Sequence, residues 1–159
     1  MRISAREVAR LGHLFLNRGK WKGKQLISAS WVAAASAVQV PAKVPMADTK
    51  LSPQDGRGVY GFNWWVNGVR PGGKRKWPGA PAGTYAGIGH NNNYMFVIPE
   101  LKMVVVRLGL DSGGGGISDA VWGAFLAKVS RASAAKRQEK RPGTASPAGL
   151  TFGLFGAEP

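Results

Sequence analysis

The residues able to do chemistry in this 159-residue chain are few. It has no cysteine, two histidines and eight acidic residues. Thiolate catalysis, disulfides and cysteine-ligated metal are therefore excluded, and with no clustered carboxylates neither a metal site nor a cofactor is expected. One serine has a lysine three residues on, in Ser133-Ala134-Ala135-Lys136. An amine at that spacing can take the hydroxyl proton and turn the serine into a nucleophile. The pattern is short, its residues are common, and Arg137-Gln138-Glu139-Lys140 follows it as a polar tail, so it reads as a chance match. His90 follows the glycine-interrupted segment Gly87-Ile88-Gly89, where a ring could touch a substrate, although a loop histidine is first of all polar surface. His13 lies on a helix beside core positions and reads as structural. The glycines Gly113 to Gly116 precede Ile117-Ser118-Asp119 in the outline of a phosphate-cradling loop. There is no Gly-Lys-Ser/Thr, and Asp119 would repel phosphate, so a flexible connector is expected.

These residues must be positioned by elements whose ends are readable. Ser4-Ala5-Arg6-Glu7 is a capping box, after which Val8, Leu11, Gly12 and Phe15 share a helix face and Gly19 supplies the stop. Lys22-Gly23-Lys24 is a tight turn, and Ser28 caps a second helix from Ala29 to about Ala37 that Pro41 cannot continue. Pro41 to Gly58 is a loop. Tyr60 to Asn67 reads as one strand, with Tyr60, Phe62, Trp64 and Val66 on one face; Trp64 and Trp65 then point to opposite sides, one into the core and one to an interface. Residues Arg70 to Gly83 return to loop. Thr84 to Ile98 is strand-like, and Met103 to Leu108 pairs with it after a turn, apolar enough to be the central strand. Ile117 opens a last helix that buries Val121, Trp122, Phe125, Leu126 and Val129. The order of elements predicts an α+β fold, a small antiparallel sheet of about three strands with helices packed on it. One domain is expected over residues 1–132, followed by a disordered basic tail over 133–159.

Lys and Arg outnumber Asp and Glu by 22 to 8, a formal charge of +14. The densest clusters, Lys20/Lys22/Lys24, Lys74-Arg75-Lys76 and Lys136/Arg137/Lys140/Arg141, fall in loops or tail and read as solvated basic surface. Nucleic acid is expected only as a non-specific partner, and a small basic binding protein is the alternative to an enzyme. No apolar run reaches the roughly 20 residues of a membrane-spanning helix. The first residues lack the apolar core of a signal peptide, which leaves the compartment open.

Ordered segments of the chain resemble the β-lactamase-like serine hydrolases, which include class C β-lactamases, D-alanyl-D-alanine carboxypeptidases (penicillin-binding-protein types) and esterases. The similar stretches are Met1 to Gly12, Leu16 to Ser28 with Trp31-Val32, the Tyr-Gly-x-x-Trp-Trp segment Tyr60 to Trp65, and Tyr85 to Gly89 with Tyr94 to Glu100 and Val104 to Gly109. The resemblance implies an acyl-enzyme mechanism on a small ester, amide or β-lactam. In such enzymes a Ser-x-x-Lys and a Tyr-x-Asn-type motif act with a Lys/His-Thr/Ser-Gly strand that walls the site. Here only the third region is represented, and Thr84-Tyr85-Ala86-Gly87 stands where Lys or His is usual. Gly89-His90-Asn91-Asn92-Asn93 likewise replaces a Gly-x-x-Gly-Gln element of esterase-like members, which leans away from β-lactams. The resemblance implies an oxyanion donor at Gly87 or Ile88, and a substrate wall of Gly87, Ile88, Gly89 and His90. Ser133 stands at the wrong end of the chain to be the nucleophile. The expectation is a C-terminal portion of such a hydrolase, without activity alone, that needs an N-terminal part or associates with itself.

Overall fold

The computed structural model describes residues 3–46, 55–110 and 116–139. Helix α1 (Ala5–Leu16) opens on the expected capping box: the Ser4 side chain accepts from Glu7 N, and Glu7 Oε2 accepts from Ser4 N at 2.8 Å. A two-residue hairpin follows, β1 (Lys20–Trp21) with β2 (Lys24–Gln25), then α2 (Ala29–Ala35), capped by Ser28. The main sheet has four antiparallel strands in the order β3 (Trp65–Val66), β4 (Tyr85–Gly89), β5 (Asn93–Ile98), β6 (Met103–Arg107). Helix α3 (Asp119–Glu139) closes the described chain. The architecture is α+β, as expected, with one strand more than the sequence suggested.

Tyr60 to Asn67 is not one strand. Asn63 takes a left-handed φ of 60°, the Gly61 amide donates to Trp64 O at 2.8 Å, and Tyr60 bridges Trp65. Only Trp65 and Val66 therefore reach β4, while Phe62 turns outward and stacks on Trp31 with ring centroids 5.5 Å apart. The segment Thr84 to Ile98 likewise folds back on itself. Asn91 and Asn92, at φ 56° and 52°, form the turn that pairs Gly89 with Asn93 and Ile88 with Tyr94. Asparagine tolerates this region because its short amide bonds to local backbone.

Strand β5 is central and β6 lies at the end of the ladder, the reverse of the expected order. Tyr94 to Ile98 are all buried, whereas every residue of β6 is only partly so. Alternation along β5 builds two cores. Tyr94, Phe96 and Ile98 join Ala86, Trp77, Trp122 and Leu126 on the α3 side. Met95 and Val97 join Trp64, Val66, Tyr85 and Ala35 on the α1 side, where Val8, Phe15 and Leu16 pack. The helix approaches most closely at Gly12, where a Cβ would stand 2.6 Å from Val104 Cγ1. Centring the contact on Gly12 rolls Leu11 out of the expected face, and it is 49% exposed.

Among the α3 residues whose burial is described, only Trp122, Gly123 and Leu126 are buried; Val121 and Phe125, expected inside, are exposed. The loop at Pro78 and Gly79 lies against Gly123 and Ala127 and covers that side of the helix. The helix also runs through Ser133 to Glu139, where the sequence suggested disorder; residues 140–159 lie outside the described residues, as do Gly113 to Gly115.

Two measurements test this packing. A Cβ at Gly61 would collide with the backbone oxygens of Ala35 and Ala37, the latter at 2.6 Å. Backbone cannot yield as a flexible side chain does, so Gly61→Ala should lower unfolding stability by about 3 kcal/mol in urea titrations. Burial pushes the Tyr85 hydroxyl from 10.0 up to about 12. Its folded pKa exceeds its unfolded one, so its contribution is complete below pH 10.0 and is lost as pH rises toward about 12. Phenolate absorbance should show one of the three tyrosines ionising only there, together with unfolding. Uniform titration of all three near pH 10 would contradict the burial.

Candidate functional site

A broad cleft forms where the β4–β5 turn meets the start of α3. Its organising residue is Asn67, which is 1% exposed. Asn67 Oδ1 accepts from Trp77 N at 2.8 Å, and Nδ2 donates to Pro81 O at 3.1 Å and to Ala80 O at 3.3 Å. Its backbone joins in, since Asn67 N donates to Thr84 O and Arg75 Nη1 donates to Asn67 O. An amide that satisfies several groups at once folds the glycine- and proline-rich loop 70–84 inward. Trp77 becomes fully buried, and Lys76 beside it enters the interior with its side chain 6% exposed.

A buried ammonium needs partners. Lys76 Nζ lies 3.0 Å from Asp119 Oδ2 and 4.2 Å from the centroid of the Trp65 ring. Arg70 Nη2 donates to the same carboxylate oxygen at 2.8 Å. Burial lowers the Lys76 pKa, opposed by Asp119. Burial also raises that of the Tyr94 hydroxyl, helped by the Asp119 charge. The α3 lead-in is tied to the turn because Asn92 Oδ1 accepts from Ile117 N at 2.9 Å. Arg107 Nη1 holds the turn from below, donating to Asn91 O and Asn92 O at 2.9 and 2.7 Å.

The resulting cleft has a volume of about 700 Å³, in the range of small-molecule sites. Trp65, Lys76, Ile88, Gly89, His90, Asn92 and Tyr94 line one side, and residues 116–119 the other. Of the four wall residues expected from sequence, Ile88, Gly89 and His90 stand on the cleft, with His90 exposed at its mouth. Gly87 is placed differently, its α-carbon facing Met95 and Trp64 on the α1 side of the sheet. His13 is exposed rather than beside the core, edge-on to Trp21 at 5.7 Å. Ser133 lies about 21 Å along α3 from Asp119, at about 1.5 Å per residue, and Lys136 is exposed. The cleft and the Ser-x-x-Lys match are thus not brought together.

The sequence reading missed Lys76, Arg70, Asp119 and Tyr94. Lys76 sat in a run of cations that looked solvated, and only its neighbour Trp77 hinted at burial. Among the described residues no group of three or more His, Cys, Asp or Glu could hold a metal ion. No helix there is long and apolar enough to cross a membrane.

No protein-family model matches the chain, and no curated protein does. Solved structures do resemble it. A protein from Bacillus anthracis assigned as a 6-aminohexanoate-dimer hydrolase superposes with a TM-score of 0.52 at 22% identity. The similarity takes in 84% of this chain but 29% of that one. A protein from Bacteroides dorei DSM 17855 assigned as a β-lactamase gives a TM-score of 0.49 at 16% identity, over 80% of this chain and 38% of its own. The fold of this chain is therefore similar to that of part of the Bacillus anthracis protein, and the chain spans well under half the length of either protein.

Asn67 carries the loop that brings Lys76 inside. Asn67→Ala leaves the Trp77 amide without a partner in the interior and takes a donor from the Ala80 and Pro81 carbonyls. A loss of about 2–3 kcal/mol is expected, measured as a shift of the urea midpoint. Hydrogen exchange at the Trp77 amide should accelerate more than at β5, since the damage is to the loop.

Proposed function

We propose that this chain forms the substrate-facing wall of a β-lactamase-like serine acyl-hydrolase acting on small esters or amides. The observation that carries the reading is the β4–β5 hairpin, which brings Ile88, Gly89 and His90 to the rim of a cleft within a fold shared with part of a hydrolase. The motif order along the sequence supports it independently.

In the proposed reaction a serine hydroxyl, its proton taken by a neighbouring lysine, adds to the substrate carbonyl. The alcohol or amine leaves, and water then releases the acid from the acyl-enzyme. This chain would supply a backbone donor for the oxyanion at Gly87 or Ile88, and the aromatic and cationic lining of the cleft. The nucleophile and its base are not assigned to it, because Ser133 is far along α3 from the cleft. The wall would act together with a polypeptide that carries Ser-x-x-Lys and Tyr-x-Asn. Departure from Lys/His-Thr/Ser-Gly at Thr84 to Gly87 favours esters and amides over β-lactams.

The alternative of a basic nucleic-acid binder loses one cation of the Lys74-Arg75-Lys76 cluster, since Lys76 is buried and paired rather than presented on the surface.

Fluorophosphonate labelling with a chromogenic ester assay tests the reading. The chain alone should neither label nor turn over ester, whereas a polypeptide translated in frame from upstream should label at the serine of a Ser-x-x-Lys. Labelling of the chain itself, abolished by Ser133→Ala, would falsify this assignment of roles.

A further inference from the structure

The cleft has an electrostatic imbalance that the wall role does not require. Two cations, Arg70 and Lys76, share a single oxygen of Asp119, and among the described residues Asp119 is the only acidic one lining the cleft. The cluster therefore keeps one positive charge in excess. An ammonium has three N–H donors. In Lys76 one goes to Asp119 while the indole face of Trp65 takes the charge from another side. No further acceptor for Lys76 is found among the described residues, although its side chain is only 6% exposed. A buried cation with an unused donor beside a cleft calls for an anionic acceptor. Trp65, Ile88 and Tyr94 supply apolar surface next to it.

We propose that the cleft binds the carboxylate of a small organic acid at the Lys76 ammonium, with Trp65 and Tyr94 flanking its apolar body. The site distinguishes such an acid from its neutral amide by charge, and from inorganic anions by the aromatic flank. Calling that acid part of a substrate, an ester or amide with a free carboxylate, rests on the hydrolase reading. The binding itself does not.

The test is calorimetric titration of the whole chain at low ionic strength with hexanoate, hexanamide and inorganic phosphate. Hexanoate is expected to bind at least about tenfold more tightly than hexanamide, and more tightly than phosphate. Lys76→Met should bring hexanoate down to the level of hexanamide. Asp119→Asn keeps the side-chain shape but removes the competing carboxylate, and should tighten hexanoate several-fold. The proposal is overturned by equal affinity for hexanoate and hexanamide, by phosphate binding as well as hexanoate, or by a preference that survives Lys76→Met in folded protein. Should Lys76→Met not fold, Asp119→Asn decides alone, and unchanged or weakened hexanoate binding overturns the proposal. The titration reads binding to a chain to which no nucleophile is assigned, so failure here is separate from failure of the ester assay.

Discussion

The structure depends on one strand being buried on both faces. β5 pairs with β4 on one side and β6 on the other, and its alternate residues seed both cores. A strand covered from both sides must be nearly all apolar, and Tyr94-Met95-Phe96-Val97-Ile98 meets that demand without a break. Its neighbours are then fixed by register. Ile88 opposite Tyr94 lands on the same face as Ala86 opposite Phe96, so the end of that face becomes cleft where α3 no longer covers it. The turn joining β4 to β5 has its left-handed asparagines at the cleft edge for the same reason.

The second constraint is the burial of Lys76. An ion pair removed from water gains little net stability, because desolvation offsets most of the attraction. Packing elsewhere must hold Lys76 in place, and the aromatic ring system around it does so. Trp77 lies edge-on to Phe96 with centroids 5.2 Å apart, and Trp122 packs on both Tyr94 and Phe96. Trp77 is thus the anchor that draws the loop in, with Asn67 as its polar counterpart. Lys76 follows because it is covalently next to that anchor. Asp119, at the first turn of α3, is where the incoming cations meet a negative charge.

Much of the fold was legible in the sequence because it is local. The capping box at Ser4, the Ser28 cap and the strand character of Thr84 to Ile98 are set by residues within a few positions of each other. The errors share one cause, that local pattern was asked to decide a long-range matter. Tyr60 to Val66 alternates like a strand, but Asn63 turns there because Gly61 fits against the end of α2. Met103 to Arg107 is apolar enough for a sheet centre and lies at its end, since nothing in its composition records how many strands follow. Val121 and Phe125 fit a helical stripe, yet the Pro78 loop decides which side of α3 is covered. For the site, glycines 87 and 89 and His90 marked the hairpin, whereas Lys76 and Asp119 are 43 residues apart and no spacing rule joins them.

The two halves of the site differ in how they were found because they do different physical work. The hairpin beside the cleft is written in strand and turn residues, whose conformational preferences are short-range, so it is legible from neighbouring positions. A charge-recognition cluster needs only that its members converge in space. Its residue types, two cations and a carboxylate, are the commonest on any surface, and convergence is produced by the aromatic core beneath. The hairpin and the cation cluster are therefore separable, since β5 holds the first and the loop that carries Lys76 holds the second. A loop that is held by one buried asparagine and one buried tryptophan can vary at its other positions without disturbing β5.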